Sequence, residues 1–116
     1  MGMAALEERL RAMVLFVALT EGGDVVGTIG YQVIGNSEGH LRGMAVWPEW
    51  QGSGIAQALL NAAEAELRAM ACRCITLDTT MPLRRAIGFY IRNGFNPTGR
   101  VTDFFGMPLH EYAKVL

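Results

Sequence analysis

The sequence predicts an α/β fold in which a mixed, mostly antiparallel central sheet contains one parallel strand-helix-strand crossover and carries flanking helices. Near the N-terminus, two apolar segments of β character flank a glycine turn, which indicates an antiparallel pair. Further on, a strand leads through a two-glycine loop into an alanine-rich helix and then another strand, which indicates a parallel crossover. The 116 residues predict a single domain, 1–116, with one modest core.

The first part of the chain predicts a short helix and an antiparallel meander. Met3 to Ala12 has the composition of a helix. Val14 to Leu19 and Val25 to Ile34 predict strands, since they are apolar, rich in β-branched residues and separated by the turn Glu21 to Asp24. A third strand, about His40 to Val46, ends before a proline.

The second part predicts the crossover, a second helix and a closing strand pair. From Gly54 to Met70, apolar residues recur at helical spacing. Arg73 to Leu77 predicts a strand, and Pro82 to Asn93 predicts a helix that ends at a C-cap glycine. Two strands, Gly99 to Phe105 and Leu109 to Val115, are expected to join around Gly106-Met107-Pro108.

Composition excludes several classes of protein. The net charge of -1 offers no long-range attraction for nucleic acid or for an anionic membrane surface. Apolar runs are interrupted well short of the roughly 20 residues that a membrane span needs, and the N-terminus lacks the pattern of a secretory signal. We therefore expect a cytoplasmic protein that binds neither nucleic acid nor membrane.

The two cysteines predict buried thiols rather than a disulfide or a metal site. Cys72 and Cys74 are two residues apart in a segment of β pattern, so both side chains are expected on one face of a strand. No histidine, cysteine or carboxylate stands nearby at the spacing of a metal site. No metal is expected.

The loop between the third strand and the first long helix predicts an anion site. Gly52 and Gly54 let the backbone turn tightly and approach a ligand, and the first turn of the helix offers unpaired N–H groups. An ordinary tight turn is the alternative that two glycines alone leave open. Other nucleotide-binding folds are disfavoured, because no P-loop lysine and no third dinucleotide-type glycine follow.

Two motifs carry a family resemblance. The first, Val-x-Pro followed by Gln or Arg-x-x-Gly-x-Gly or Ala, is matched by Val46, Pro48, Gln51, Gly54 and Ala56. The second is matched by Ala86, Tyr90, Gly94 and Phe95. With both motifs, the chain from about Val14 onward resembles the GNAT superfamily of acyl-CoA-dependent N-acetyltransferases. Since little more than Met3 to Ala12 precedes that region, we expect a shortened N-terminus without the family's first strand and helix.

The resemblance implies a reaction and the residues that bind the cofactor. Acetyl-CoA would donate its acetyl group to a primary amine, which attacks directly in a ternary complex. The pantetheine arm would lie along the strand and the pyrophosphate on the loop; the residues implied are Met44, Ala45, Val46, Gln51, Gly52, Ser53, Gly54, Ile55 and Ala56. The Tyr90 hydroxyl would lie near the departing thiolate sulfur, as the catalytic residue; packing on an amphipathic helix is its alternative role.

Several other residues are candidates for weaker roles. An acceptor ammonium must lose a proton before it attacks, and Glu38, His40 and Asp78 are candidate proton acceptors. For each of the three, a solvated strand end or a loop cap is the favoured interpretation. Trp47 and Trp50 suit an acceptor site or the bracing of the loop, and Arg84 and Arg85 suit a cofactor phosphate or solvent.

The interpretation of the sequence is therefore an acyl-CoA N-acyltransferase without a metal. The alternative is a noncatalytic acyl-CoA-binding or regulatory module of truncated GNAT fold, which the short N-terminus favours and Tyr90 disfavours. The resemblance also allows a homodimer, in which a partner subunit would complete the acceptor wall.

Overall fold

A computed structural model describes residues 13–35, 37–79 and 84–116. Its elements are β1 (Met13–Leu19), β2 (Val25–Ile34), β3 (Glu38–Val46), α1 (Ile55–Ala69), β4 (Cys74–Thr79), α2 (Arg84–Arg92), β5 (Asn96–Phe104) and β6 (Met107–Val115). The six strands form one sheet in the order β1-β2-β3-β4-β6-β5. The helix predicted over Met3 to Ala12, and the predicted start of the second helix at Pro82, lie outside the described residues.

The sheet confirms the predicted fold class. Strands β1–β2, β2–β3, β4–β6 and β5–β6 pair antiparallel, and β3–β4 is the parallel pair that flanks the crossover helix. That parallel pairing is short, since only Glu38, Gly39 and His40 of β3 find partners on β4. Beyond His40, no described residue of β3 pairs with a residue of β4, and a gap lies between the two strands.

The core lies between the sheet and the helices. Its fully buried side chains belong to β2, α1, β4 and the segment after α2: Ile29, Leu60, Leu67, Ile75 and Phe95. The approach of α1 to the sheet is close at Gly39, where a Cβ atom would lie 2.6 Å from a δ-carbon of Leu67. Glycine at that position therefore allows the helix to pack onto β3.

The final hairpin differs from the prediction at its turn. The predicted turn at Gly106-Met107-Pro108 is wrong, because Met107 pairs with Phe104 and belongs to β6. The chain instead turns at Phe105 and Gly106, which have φ angles of 51° and 83°. A two-residue turn with positive φ at both positions matches the twist of the strands, and this gain outweighs the cost of a left-handed phenylalanine.

Strand β5 also begins earlier than predicted. It starts at Asn96 rather than Gly99, and the register shifts between Pro97 and Val101. Gly99 lies inside that irregular stretch with a φ of 87°, so the glycine marks an interruption of the strand rather than its start.

The cysteines are free thiols, and only one of them lies on a strand. Cys72 is buried but precedes β4, whereas Cys74 is the first residue of β4 and is half-buried. The expectation of a shared strand face is therefore wrong for Cys72.

Within the described ranges, no helix is long and apolar enough to cross a membrane.

Candidate active site

A cleft of about 800 Å³ lies between the end of β3, the glycine loop and helix α2. Most of the predicted cofactor-binding residues line it: Met44, Ala45, Val46, Gln51, Gly52, Gly54 and Ala56. The structure thus brings the strand and the loop of the first sequence motif to one space, as a cofactor that spans both would require.

Hydrogen bonds within the protein hold the loop against β2 and β3. The Trp47 N–H donates to the carbonyl of Val26 at 2.9 Å, which ties the loop to β2. Pro48–Trp50 then forms a 3₁₀ turn, and the side-chain Nε2 of Gln51 donates to the carbonyl of Val46 at 3.1 Å. The glutamine of the motif therefore braces the loop against the strand.

Two glycines shape the loop where it meets the helix. Gly52 and Gly54 have φ angles of 82° and 90°, and a Cβ atom on either would meet nothing within 4 Å. Gly54 is the N-cap of α1 and, as a glycine, makes no side-chain hydrogen bond to cap the helix. The first N–H groups of α1 thus have no side-chain acceptor at the cap, which is the arrangement that binds anions at a helix N-terminus.

Two of the predicted residues do not line the cleft. The hydroxyl of Ser53 donates to the carbonyl of Trp50, so that side chain turns back into the loop. The Cγ2 atom of Ile55 lies 3.0 Å from the place where Gly27 would carry a Cβ, which means that Ile55 packs against β2. Any role of these two residues toward a cofactor is limited to their backbone atoms, and the Ser53 N–H already donates to the carbonyl of Trp50 at 3.3 Å.

Three arginines of α2 line the opposite wall. Arg84 and Arg85, both noted in the sequence, line the cleft together with Arg92, which was missed. The missed signal was helical spacing, because Arg84 and Arg92 are eight residues apart and so share a helix face. The three guanidinium groups give this wall the charge that phosphate groups require.

The two helices that flank the cleft are also linked directly. The side-chain Nε2 of Gln57 on α1 donates to Asn61 at 2.9 Å and to Asn93, just after α2, at 2.8 Å. The Asn93 amide in turn donates to the carbonyl of Phe89 at 2.9 Å. Sequence reasoning missed this link, since its partners are 36 residues apart and belong to neither motif.

Tyr90 lies where the cleft meets a second, smaller pocket. This pocket, of about 260 Å³, occupies the gap between β3 and β4, and both spaces are lined by Met44, Ala86 and Tyr90. The Tyr90 ring is 9% exposed and packs edge-on against Phe89 and Phe95, with centroids 5.6 and 5.8 Å away. Burial raises the pKa of its phenol, so the hydroxyl stays a proton donor at neutral pH.

The candidate proton acceptors divide into one at the pocket and two behind it. Asp78 lines the small pocket, whereas His40 and Glu38 belong to the paired start of β3. His40 is buried, and this burial lowers its pKa from the usual value, with Arg42 acting in the same direction. An imidazole in this position is neutral at pH 7 and able to accept a proton.

The two tryptophans beside the loop proline differ in position. Trp50 lines the large cleft, while Trp47 is 41% exposed and lines neither space. Among the described residues, no three histidines, cysteines or carboxylates are grouped in a way that would hold a metal ion.

Comparison with known proteins gives relatives in sequence and in structure. The model of the Acetyltransferase (GNAT) family matches residues 3–95. The chain is 34% identical over 107 residues to aminoglycoside N(6')-acetyltransferase type 1 of Stenotrophomonas maltophilia, covering 85% of this chain and 69% of that protein. A GNAT-family acetyltransferase from Staphylococcus aureus Mu50 superposes with a TM-score of 0.83 at 22% identity, over 97% of this chain and 75% of the other. A second, from Elizabethkingia anophelis with acetyl-CoA bound, gives 0.78 at 14% identity, over 99% and 84%. Both structures share the fold.

Proposed function

Because the chain belongs to the GNAT acetyltransferase family, we propose that it transfers the acetyl group of acetyl-CoA to a primary amine by direct attack in a ternary complex. Family membership makes the protein an acyl-CoA N-acyltransferase. The observation that carries the finer proposal is the junction of two spaces at Tyr90: a long cleft suited to a cofactor and a smaller pocket that opens into it.

The cleft suits the pyrophosphate and the pantetheine arm of coenzyme A. The pyrophosphate would accept hydrogen bonds from backbone N–H groups between Gly52 and Ala56 other than that of Ser53, which donates to the carbonyl of Trp50 at 3.3 Å. The arginines of α2 would supply positive charge. The pantetheine amides would pair with β3 beyond His40, where the described residues provide no strand partner on the β4 side. Residues Met44 to Val46 lie on that stretch and line the cleft.

The chemistry expected at the junction needs one hydrogen-bond donor for the thioester carbonyl oxygen and another for the departing sulfur. A backbone N–H of Met44 to Val46 would polarise the thioester carbonyl and stabilise the tetrahedral oxyanion. The Tyr90 hydroxyl would donate to the thiolate as the C–S bond breaks. Full proton transfer from a phenol to a thiolate is uphill by about 2 kcal/mol at reference pKa values, and burial adds to this, so we propose hydrogen-bond donation.

The sequence relative supports a proposal for the class of acceptor. The Stenotrophomonas maltophilia protein is named for acetylation at the 6′-nitrogen of aminoglycosides, so we propose an amine of a polycationic acceptor, with aminoglycosides as the first to be tested. A cytoplasmic location and a homodimer stay predictions, for cell fractionation and solution mass to check.

The experiment is a calorimetric titration of acetyl-CoA, coenzyme A and dephospho-coenzyme A into the purified protein, followed by thiol release in the presence of an amine panel. We expect saturable binding of acetyl-CoA and release of thiol with at least one amine. A folded protein that does not bind acetyl-CoA would overturn the proposal. Binding without thiol release from any amine would instead favour the noncatalytic acyl-CoA-binding module.

A further inference from the structure

A chain of polar side chains crosses the paired start of β3 and β4 and ends at the small pocket. The Thr76 hydroxyl donates to Oε2 of Glu38 at 2.8 Å, and Nδ1 of His40 lies 2.8 Å from the same Thr76 oxygen. On the other side of the imidazole, Nε2 lies 3.6 Å from Oδ2 of Asp78. His40 and Thr76 are buried, whereas the Asp78 side chain is 35% exposed and lines the pocket.

The single proton of the threonine hydroxyl fixes the tautomer of the histidine. Thr76 gives that proton to Glu38, so its oxygen can only accept a hydrogen bond from His40. Nδ1 of the neutral imidazole therefore carries the hydrogen, and Nε2 presents a lone pair toward the carboxylate of Asp78. Two proton acceptors thus face each other beside the pocket, and one proton added to Nε2 would make the two side chains an ion pair.

We propose that Asp78 is the catalytic residue that takes the proton from the acceptor's ammonium group. His40 is a positioning residue behind Asp78: once this proton has passed to its imidazole, the imidazolium and the Asp78 carboxylate form an ion pair. The inference rests on the proposed acetyl transfer and specifies its acceptor: the amine enters the small pocket as a cation. The ammonium would lie against Asp78, within the space that Met44 and Tyr90 share with the cofactor cleft.

Two protons leave the acceptor nitrogen during the proposed transfer. The ammonium N–H bond breaks and its proton passes to Oδ2 of Asp78 and on to Nε2 of His40, leaving a neutral amine with a lone pair. The amine nitrogen attacks the thioester carbon, the C–S bond breaks, and the thiolate leaves with a hydrogen bond from Tyr90. The nitrogen gives up a second proton, which ends on the thiol, and the imidazolium returns its proton to solvent.

The charges around His40 determine how the pair of His40 and Asp78 responds to pH. Burial lowers the pKa of His40, Arg42 on β3 lowers it further, and Asp78 on β4, Glu38 on β3 and Glu111 on β6 raise it. The net direction is downward, so the imidazole is free to take a proton at pH 7. Activity should fall only when the pH drops far enough to protonate His40 before the substrate arrives.

The test uses the full chain and three variants: Asp78→Asn, His40→Gln and, as a matched control, Asp103→Asn. Asp103 is an exposed carboxylate near the β5–β6 turn, where it accepts the Gly106 N–H, and it lines neither space. Acetyl-CoA affinity is measured by calorimetry for each variant, and kcat/KM is measured from pH 5 to pH 10 with kanamycin, an aminoglycoside that carries a 6′-amine.

We expect Asp78→Asn to bind acetyl-CoA as tightly as the unmodified chain and to lose about 100-fold or more in kcat/KM at pH 7, as the loss of a general base costs. Its rate should then rise about tenfold per pH unit up to the pKa of the amine, since free amine needs no base. His40→Gln should lose less and move the acidic limb to lower pH, because a carboxylate is a weaker base than imidazole. Asp103→Asn should match the unmodified chain.

Nitrogen-15 NMR of the imidazoles gives a readout that needs no turnover, with His110→Gln to assign the second histidine. We expect the Nδ1–H tautomer for His40 and a lower His40 pKa in Asp78→Asn, since a negative neighbour is removed. An Nε2–H tautomer of His40, or a His40 pKa that is the same in Asp78→Asn as in the unmodified chain, would overturn the proposal even if kanamycin is not acetylated. Unchanged turnover of Asp78→Asn at pH 7, or an unchanged acidic limb in His40→Gln, would also overturn it. Failure of the unmodified chain to bind acetyl-CoA would instead contradict the proposed function.

Discussion

Replacing Gly54 with alanine should separate the cost of backbone strain from the cost of losing the cofactor. Gly54 has a φ of 90°, and a Cβ there would meet nothing within 4 Å, so Gly54→Ala introduces strain but no clash with the protein. A left-handed non-glycine residue costs about 1–2 kcal/mol. At this chain length that corresponds to a decrease in Tm of roughly 4–8 °C.

The structure also provides a matched control. Gly23, in the β1–β2 turn, has the same φ of 90° and the same open surroundings, but it lines neither space. Gly23→Ala should therefore reduce Tm by a similar amount. Only Gly54→Ala places a methyl group where the pyrophosphate would approach the loop, and loss of one charge-assisted hydrogen bond at about 1.5–3 kcal/mol weakens binding roughly 10- to 100-fold.

The assay is calorimetry of acetyl-CoA binding together with thermal unfolding for both variants. We expect equal losses of Tm and a weakened affinity in Gly54→Ala alone. Equal affinity for acetyl-CoA in the two variants would refute the assignment of the loop to the pyrophosphate. A much larger loss of Tm in Gly54→Ala would refute the premise that the two glycines are strained alike.

Three further predictions concern the reaction and the core. Tyr90→Phe should lower kcat while acetyl-CoA affinity by calorimetry stays within about twofold, since one hydroxyl is removed from a ring that stays packed; unchanged kcat in a chemistry-limited step would exclude the role at the thiolate. Gly39→Ala should destabilise the fold by about 1–3 kcal/mol in urea unfolding, because the new Cβ would lie 2.6 Å from Leu67, which is fully buried; a stability equal to the unmodified chain would show that α1 shifts freely. Lys114→Met removes the partner of Glu64, 2.8 Å away between α1 and β6, with both side chains at most 20% exposed; urea unfolding should show a loss of about 3 kcal/mol, and a neutral result would mean that Glu64 stays solvated.

Sequence patterns predicted elements well wherever the deciding contacts are local. The bounds of β2 were predicted as observed, because its β-branched residues follow a turn with two glycines. Helix α1 was predicted within one residue at each end, since its apolar spacing and the glycine before it are properties of neighbouring residues. The turn at Phe105 was missed because an aromatic residue at positive φ contradicts local preference and is held by the pairing of β5 with β6.

The sequence alone determined the fold class, the family resemblance and the residues of the glycine loop, since each of these depends on spacing within one segment. Only the tertiary structure decided which side chains line the cleft beside that loop and where the neighbouring strands separate. It placed Arg92 and Gln57 at the cleft, turned Ser53 and Ile55 away from it, and opened a gap between β3 and β4. The contact of His40 with Thr76 likewise arises from parallel pairing across 36 residues. Such contacts depend on where the strands meet and separate, and no local pattern of residues records that.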